Sequence, residues 1–255
     1  MTKVRDIYDA LCELAPLQLQ MDFDNSGFQV GHSDQVITKV LLALDVTDEV
    51  VQEAREDGAE LIISHHPLLF HPPRRITDED PATRRILTLI ESGIAVISMH
   101  TNLDIAQGGV NDVLLCLLGA VPETVLDAEG CGRIGMLPEP LPIESFLALC
   151  RETLNTNGLR YVSSGRSVKR LAVMGGAGGA ALEDAYAKGC DTYVSADLKY
   201  HTFQRAQELG MNLIDADHFC TEQPVIPTLC EKLKQRFPEV SFSVSQKHVP
   251  LIRFA

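Results

Sequence analysis

Short apolar runs alternate along this chain with stretches of helical periodicity, and that rhythm constrains the fold more than any other feature of the sequence. Residues 36–45 read as a buried strand. Thr47, with Asp48 and Glu49 behind it, opens a helix that Gly58 closes. Strands follow at 60–64 and 94–98 around a helix at 81–92, and a further helix covers 110–118. After a break the pattern resumes with helix 143–154, strand 169–174, helix 180–188 and strand 191–195. Helix 200–209, strand 212–216, helix 224–236 and strand 240–245 complete it. Such alternation predicts an α/β fold, with parallel strand pairs joined by crossover helices. The break, 120–142, carries four of the thirteen prolines and three glycines, which places a domain boundary near residue 125. Two α/β domains are expected: 1–125 together with about 224–255, and 126–223.

Composition narrows the function. At 255 residues and 45% hydrophobic, the chain can bury a sizeable core. Its formal net charge of −13 and the lack of any Lys/Arg run argue against binding nucleic acid through phosphates. An anionic substrate would then need a metal ion or a nest of backbone amides. No apolar stretch approaches the ~20 residues of a membrane span. The opening Met1-Thr2-Lys3-Val4-Arg5-Asp6 lacks the apolar segment of a signal peptide, so the expected location is the cytoplasm. The seven cysteines are widely spaced, odd in number and without a C-x-x-C, which argues against a disulfide framework and against a structural zinc knuckle. Most read as small buried hydrophobes; Cys220, which lies among polar candidates, stays open.

Three polar clusters each follow a predicted strand, where open α/β sheets place their ligand sites. Ser64-His65-His66-Pro67 comes first. Adjacent side chains at a strand end diverge, so each imidazole can serve a different metal; the alternative is a polar loop. Met99-His100-Thr101-Asn102-Leu103-Asp104 is second. Asp104 offers a carboxylate, or else a turn cap, and His100 suits the task of orienting a ligand through its ring nitrogen. In the third, Asp215-Ala216-Asp217-His218-Phe219-Cys220-Thr221-Glu222, His218 and Glu222 stand four apart and share one helical face. The imidazoles and carboxylates of His65, His66, Asp104, His218 and Glu222 suit two divalent ions bridged by a carboxylate and water.

Those segments, with Asp24-Asn25-Ser26-Gly27 and Ala196-Asp197-Leu198-Lys199-Tyr200-His201, resemble the GTP cyclohydrolase 1 type 2 homologues, also called Nif-three-like proteins, over about residues 4–250. The resemblance implies two interlocked α/β domains with mixed, largely parallel sheets flanked by helices. It further implies a dinuclear metal centre in the cleft between them and a toroidal homohexamer. His65 and His218 resemble ligands of one ion, His66 and Asp104 those of the other, and Glu222 the bridge. Ser195-Ala196-Asp197 stands where Thr-Gly-Asp is common in the family.

Two divalent ions (Zn, Fe, Mn, Co, Ni or Mg) would acidify a bound water toward neutral pH and offset the chain's negative charge. The expected activity is a metal-dependent hydrolase of the cyclohydrolase or phosphohydrolase type, acting on a nucleotide-like substrate, with His201 or His100 as proton donor. A second reading is a non-catalytic metal-binding, metal-delivery or regulatory ring-forming protein. Among the remaining features, Gly175-Gly176-Ala177-Gly178-Gly179 reads as a tight structural turn or as a cradle for a substrate phosphate. As a loose dinucleotide fingerprint it falls too late in the chain. His71 is expected to line the cleft, and His32 and His248 to be exposed and inert.

Overall fold

A computed structural model describes residues 1–253. They form two compact units, Met1–Ala106 with Ile226–Val249, and Gln107–Val225 with the few described residues after Val249.

The first unit opens with α1 (Val4–Leu14), whose Val4, Ile7, Ala10 and Leu11 make one buried stripe at helical spacing. Its sheet contains β1 (Gly27–Val30), β2 (Lys39–Ala43), β3 (Leu61–Ser64) and β4 (Ala95–Ser98), in the order β1-β4-β3-β2. A last strand, Ser241–Val244, pairs in parallel beyond β2. The β4–β3–β2 pairings are also parallel, and β1 runs antiparallel to β4. Every residue of β3 and β4 is buried, which is why both read as unbroken apolar runs rather than alternating ones. Helix α2 (Asp48–Asp57) starts where the Thr47 hydroxyl accepts from the Val50 N–H, and stops at Gly58, whose φ of 69° suits a residue without a Cβ. Asp80 caps α3 (Pro81–Glu91) through the Ala82 and Thr83 amides. Val50, Val51 and Ala54 of α2 and Leu89 of α3 pack with Leu41, Ile62 and Val96 of the sheet. Burial of each large apolar side chain is worth roughly 1.5–3 kcal/mol. Ala43, Ser64 and Ser98 lie side by side in register, so the residues that follow β2, β3 and β4 leave the sheet at one edge. The one-turn helix α4 (Thr101–Ile105) begins there.

In the second unit α5 (Val110–Leu117) precedes β5 (Val121–Val125), β6 (Arg133–Leu141), α6 (Ile143–Thr153), β7 (Arg160–Val162) and β8 (Val168–Val173). Then come α7 (Leu182–Ala187), β9 (Thr192–Ser195), α8 (Tyr200–Leu209), β10 (Asn212–Asp215) and α9 (His218–Glu222). The sheet order is β5-β6-β8-β9-β10-β7, with β8–β9–β10 parallel and the three outer joins antiparallel. Leu114, Leu115 and Leu118 pack against Phe146, Leu171, Val194 and Ile214. The chain then continues through α10 (Val225–Arg236) to β11 (Ser241–Val244), the outermost strand of the first sheet.

Both sheets are therefore mixed and flanked by helices. The unit division falls after Ala106, whereas the sequence suggests a break near 125. The Pro-rich stretch belongs to the second sheet: β5 pairs with β6, and β6 with β8. Pro138 and Pro140 sit where the β6–β8 ladder is interrupted, between Met136 and Leu141, and Pro122 lies on an edge strand. Proline, which has no N–H to give the ladder, is tolerated at both kinds of position. Helix α1 and strands β1, β5, β6 and β7 are additions to what periodicity alone suggests. No helix among the described residues is long and apolar enough to cross a membrane.

Candidate metal centre

In the first unit, β3 delivers His65 and His66 and β4 delivers His100 to the same sheet edge. The three rings lie 4.9, 5.2 and 5.5 Å apart between centroids. One ligand atom from each falls within 4.8 Å of the others, so these imidazoles could hold a divalent ion. Each ring is aimed by its Nδ1. His65, fully buried, has Nδ1 at 2.8 Å from the Met99 carbonyl. A carbonyl only accepts, so Nδ1 is the donor there, and Nε2 faces Asp104, 3.6 Å from its Oδ1. His66 Nδ1 is 2.7 Å from Asp45 Oδ1, and His100 Nδ1 is 2.8 Å from Asp24 Oδ1.

The two carboxylates are themselves clamped. Asp24 accepts from the Thr101 amide at 3.0 Å and Ser26 Oγ at 2.8 Å as well as from the Thr101 hydroxyl. Burial would raise its pKa, but the hydrogen bonds from His100, Thr101 and Ser26 prevail and hold it well below the usual carboxylate range. Asp45 behaves likewise: burial opposes ionisation, and His248 with His66 overcomes it. Asp24-Asn25-Ser26-Gly27 is thus a clamp that fixes His100 and the start of α4.

In the second unit, α9 starts directly beyond β10. His218 Nε2 is 3.1 Å from Glu222 Oε2, and His218 Nδ1 is 2.8 Å from Asp197 Oδ2. Asp197 follows β9 and Asp217 caps α9 by accepting from the Cys220 amide; both take positive φ, 53° and 71°. The Glu222 side chain is 4% exposed. Gly176, at φ 65°, borders it: a Cβ there would meet Glu222 Oε1 at 2.2 Å and His218 Cε1 at 3.2 Å.

Asp104 is buried on α4. His201 is exposed in the first turn of α8. His71 is exposed with its ring 4.8 Å from that of Phe70, and His32 is exposed. His248 departs from expectation. Its side chain is only 7% exposed and its Nε2 lies 3.0 Å from Asp45 Oδ2. Pairing of Val244 with Leu42 brings the ends of β11 and β2 together, and no local motif signals that. Asp45 and Asp24 were equally invisible as ring-positioning residues. Cys220 is buried, and desolvation reinforced by the Asp217 charge pushes its thiol up to about 12, so it is no nucleophile at neutral pH. The glycine turn is structural: the Gly175, Gly176 and Gly178 amides donate to Asn111 Oδ1, Thr221 Oγ1 and Ser195 Oγ. Amides already spent on the protein's own oxygens do not cradle a phosphate.

Fold and site define an α/β protein of two units, each presenting imidazole and carboxylate donors, sorted by bound oxygens, at the carboxyl edge of its sheet. A family model described as Duf34/NIF3 (NGG1p interacting factor 3) matches residues 2–250. A relative from Clostridium perfringens, named GTP cyclohydrolase 1 type 2 homolog, is 38% identical over 253 residues, covering 96% of this chain and 97% of that protein. The chain belongs to the Duf34/NIF3 family. A Staphylococcus aureus hypothetical protein of known structure, 28% identical, superposes with a TM-score of 0.92 and covers 99% of both chains. A Bacillus cereus protein related to NIF3, 24% identical, shares the fold with a TM-score of 0.92 over 100% of this chain and 99% of that one.

Proposed function

We propose that the chain binds two divalent metal ions through His65, His66, Asp104, His218 and Glu222, and hydrolyses a nucleotide-like substrate. One observation carries the reading. All four imidazoles at the two sheet edges have Nδ1 bound to an oxygen, of Met99, Asp45, Asp24 or Asp197, which makes Nε2 the ring's donor atom. Imidazoles that ligate metals are oriented in this way, and a solvated surface histidine needs no such partner. The donor set of neutral imidazole and carboxylate fits Zn, Fe, Mn, Co or Ni. Support from the relatives lies in the name GTP cyclohydrolase 1 type 2 homolog.

In this reading His65 and His218 serve one ion, His66 and Asp104 the other, and Glu222 both. Bound divalent ions supply Lewis-acid polarisation and an acidified water. The chain's own residues hold the donors in place: Asp45 and Asp197 keep protons on the Nδ1 atoms of His66 and His218, and Asp24 does so for His100. His201 gives the proton to the leaving group, or His100 gives it from Nε2 when its ring carries both protons. A cytoplasmic, toroidal homohexamer is the proposed working state.

Glu222→Gln tests the proposal by elemental analysis and by assay of formate and phosphate release from GTP and other nucleotides. The wild type is expected to carry two ions per chain and turn over, and the variant to lose both. Full metal occupancy with an unchanged rate refutes the ligand assignment. Metal transfer to an apo-acceptor without turnover refutes the hydrolase and favours metal delivery.

A further inference from the structure

Phe23 and Phe70 are left in water beside the histidine cluster: Phe23 is 64% exposed and Phe70 37%. Their rings are 6.4 Å apart and tilted by 66°, and Phe70 meets His100 edge-on at 6.0 Å. Neither ring hangs on a loose loop. Leu68 and Leu69, just before Phe70, pack into the first unit's core. Asn25 Nδ2 donates to the Leu69 carbonyl at 2.6 Å, and the Leu69 amide donates to Gln29 Oε1 at 3.1 Å. Asp24, next to Phe23, is the buried clamp of His100. Two loops that position the imidazoles therefore also hold up two aromatic rings, tied to one another, at the border of the same site.

We propose that Phe23 and Phe70 form a stacking wall for a flat heteroaromatic ring, the base of the substrate, held beside the imidazole cluster. The assignment rests on the metal-centre reading and names the part of the ligand that the metal donors do not address. Apolar ring faces offer contact area and no hydrogen-bond pattern, so the wall recognises a base without selecting which one. It also suits a chain of net charge −13, where affinity for an anionic ligand gains from contacts that do not depend on charge.

The test uses the full chain loaded with Mn and titrated by calorimetry with GMP, AMP and ribose 5-phosphate, in wild type, Phe23→Ala, Phe70→Ala and Phe70→Tyr. Both nucleotides should bind more tightly than ribose 5-phosphate. Each alanine variant should lose about tenfold for GMP and AMP alike, with no change for ribose 5-phosphate, and Phe70→Tyr should restore binding. Metal content, measured on the same samples, should not move. Equal binding of GMP and ribose 5-phosphate, no binding of GMP, or wild-type binding by both alanine variants overturns the wall. So does a shift in sedimentation without loss of nucleotide affinity, which would make the pair an interface between copies. Failure of the metal reading shows separately, as wild-type chain that takes up no Mn.

Discussion

Replacing Gly176 by Ala tests Glu222 as a ligand, with His218 beside it, and touches neither residue. Gly176 has φ 65°, where a Cβ costs about 1–2 kcal/mol. The same backbone cost arises at Gly189, φ 75°, where an added Cβ meets nothing within 4 Å. At Gly176 the new methyl would stand 2.2 Å from Glu222 Oε1, against the 3.4 Å at which ordinary contact begins. The carboxylate must therefore retreat by about 1 Å, several times the ~0.2 Å latitude of a metal–ligand bond. The end of a flexible side chain moves at little cost, so the apo forms of both variants should be destabilised by a similar ~1–2 kcal/mol, a few degrees in Tm. Metal binding should separate them: Gly176→Ala is expected to lose about 10–100-fold in affinity, and Gly189→Ala nothing. Urea denaturation of the apo proteins and calorimetric titration with Mn provide the two readings. A Gly176→Ala chain that folds and binds metal like Gly189→Ala would refute the claim that Glu222 is a ligand.

Asp197→Asn keeps the shape of the side chain and suits the positive φ, but removes the charge that polarises His218. Metal affinity should fall about 10–100-fold while Tm, read in the apo protein, stays put, because the 51% exposed carboxylate contributes little to stability. The clamp on Asp24 predicts an acid limb. Its folded pKa lies below the unfolded value of about 3.9, so the native state binds fewer protons than the unfolded one in that range. The stability it confers is complete above about pH 4 to 5 and drains away as pH falls through the folded value; Asp24→Asn should flatten the denaturation free energy against pH there. Finally, iodoacetamide at pH 8 should label exposed Cys116 first. Cys150, Cys190 and Cys220 should resist, since burial pushes their thiols up to about 12, 11 and 12; mass mapping reads the order.

Much of the site's chemistry was legible along the chain because strand ends and helix caps are local signals. The apolar run ending at Ser64 announces that His65 and His66 leave a sheet at its carboxyl edge, and the Thr47 cap and Gly58 stop mark α2 to the residue. The antiparallel pair β5–β6 was harder: both strands carry prolines, which read as a break between domains until the interrupted β6–β8 ladder shows where they fit. The glycine turn was ambiguous because its spacing says nothing about where amides point.

What the sequence determined by itself was the inventory: an α/β alternation, and imidazoles and carboxylates placed just past strands. Tertiary structure alone decided which residues aim those rings. Asp24 reaches His100 across 76 positions and Asp45 reaches His66 across 21. His248 reaches Asp45 because β11 lies in parallel register beside β2. Periodicity reports on neighbours a few residues away, whereas the partner of a ring nitrogen is set by strand register, and register is fixed only when distant apolar faces are buried together.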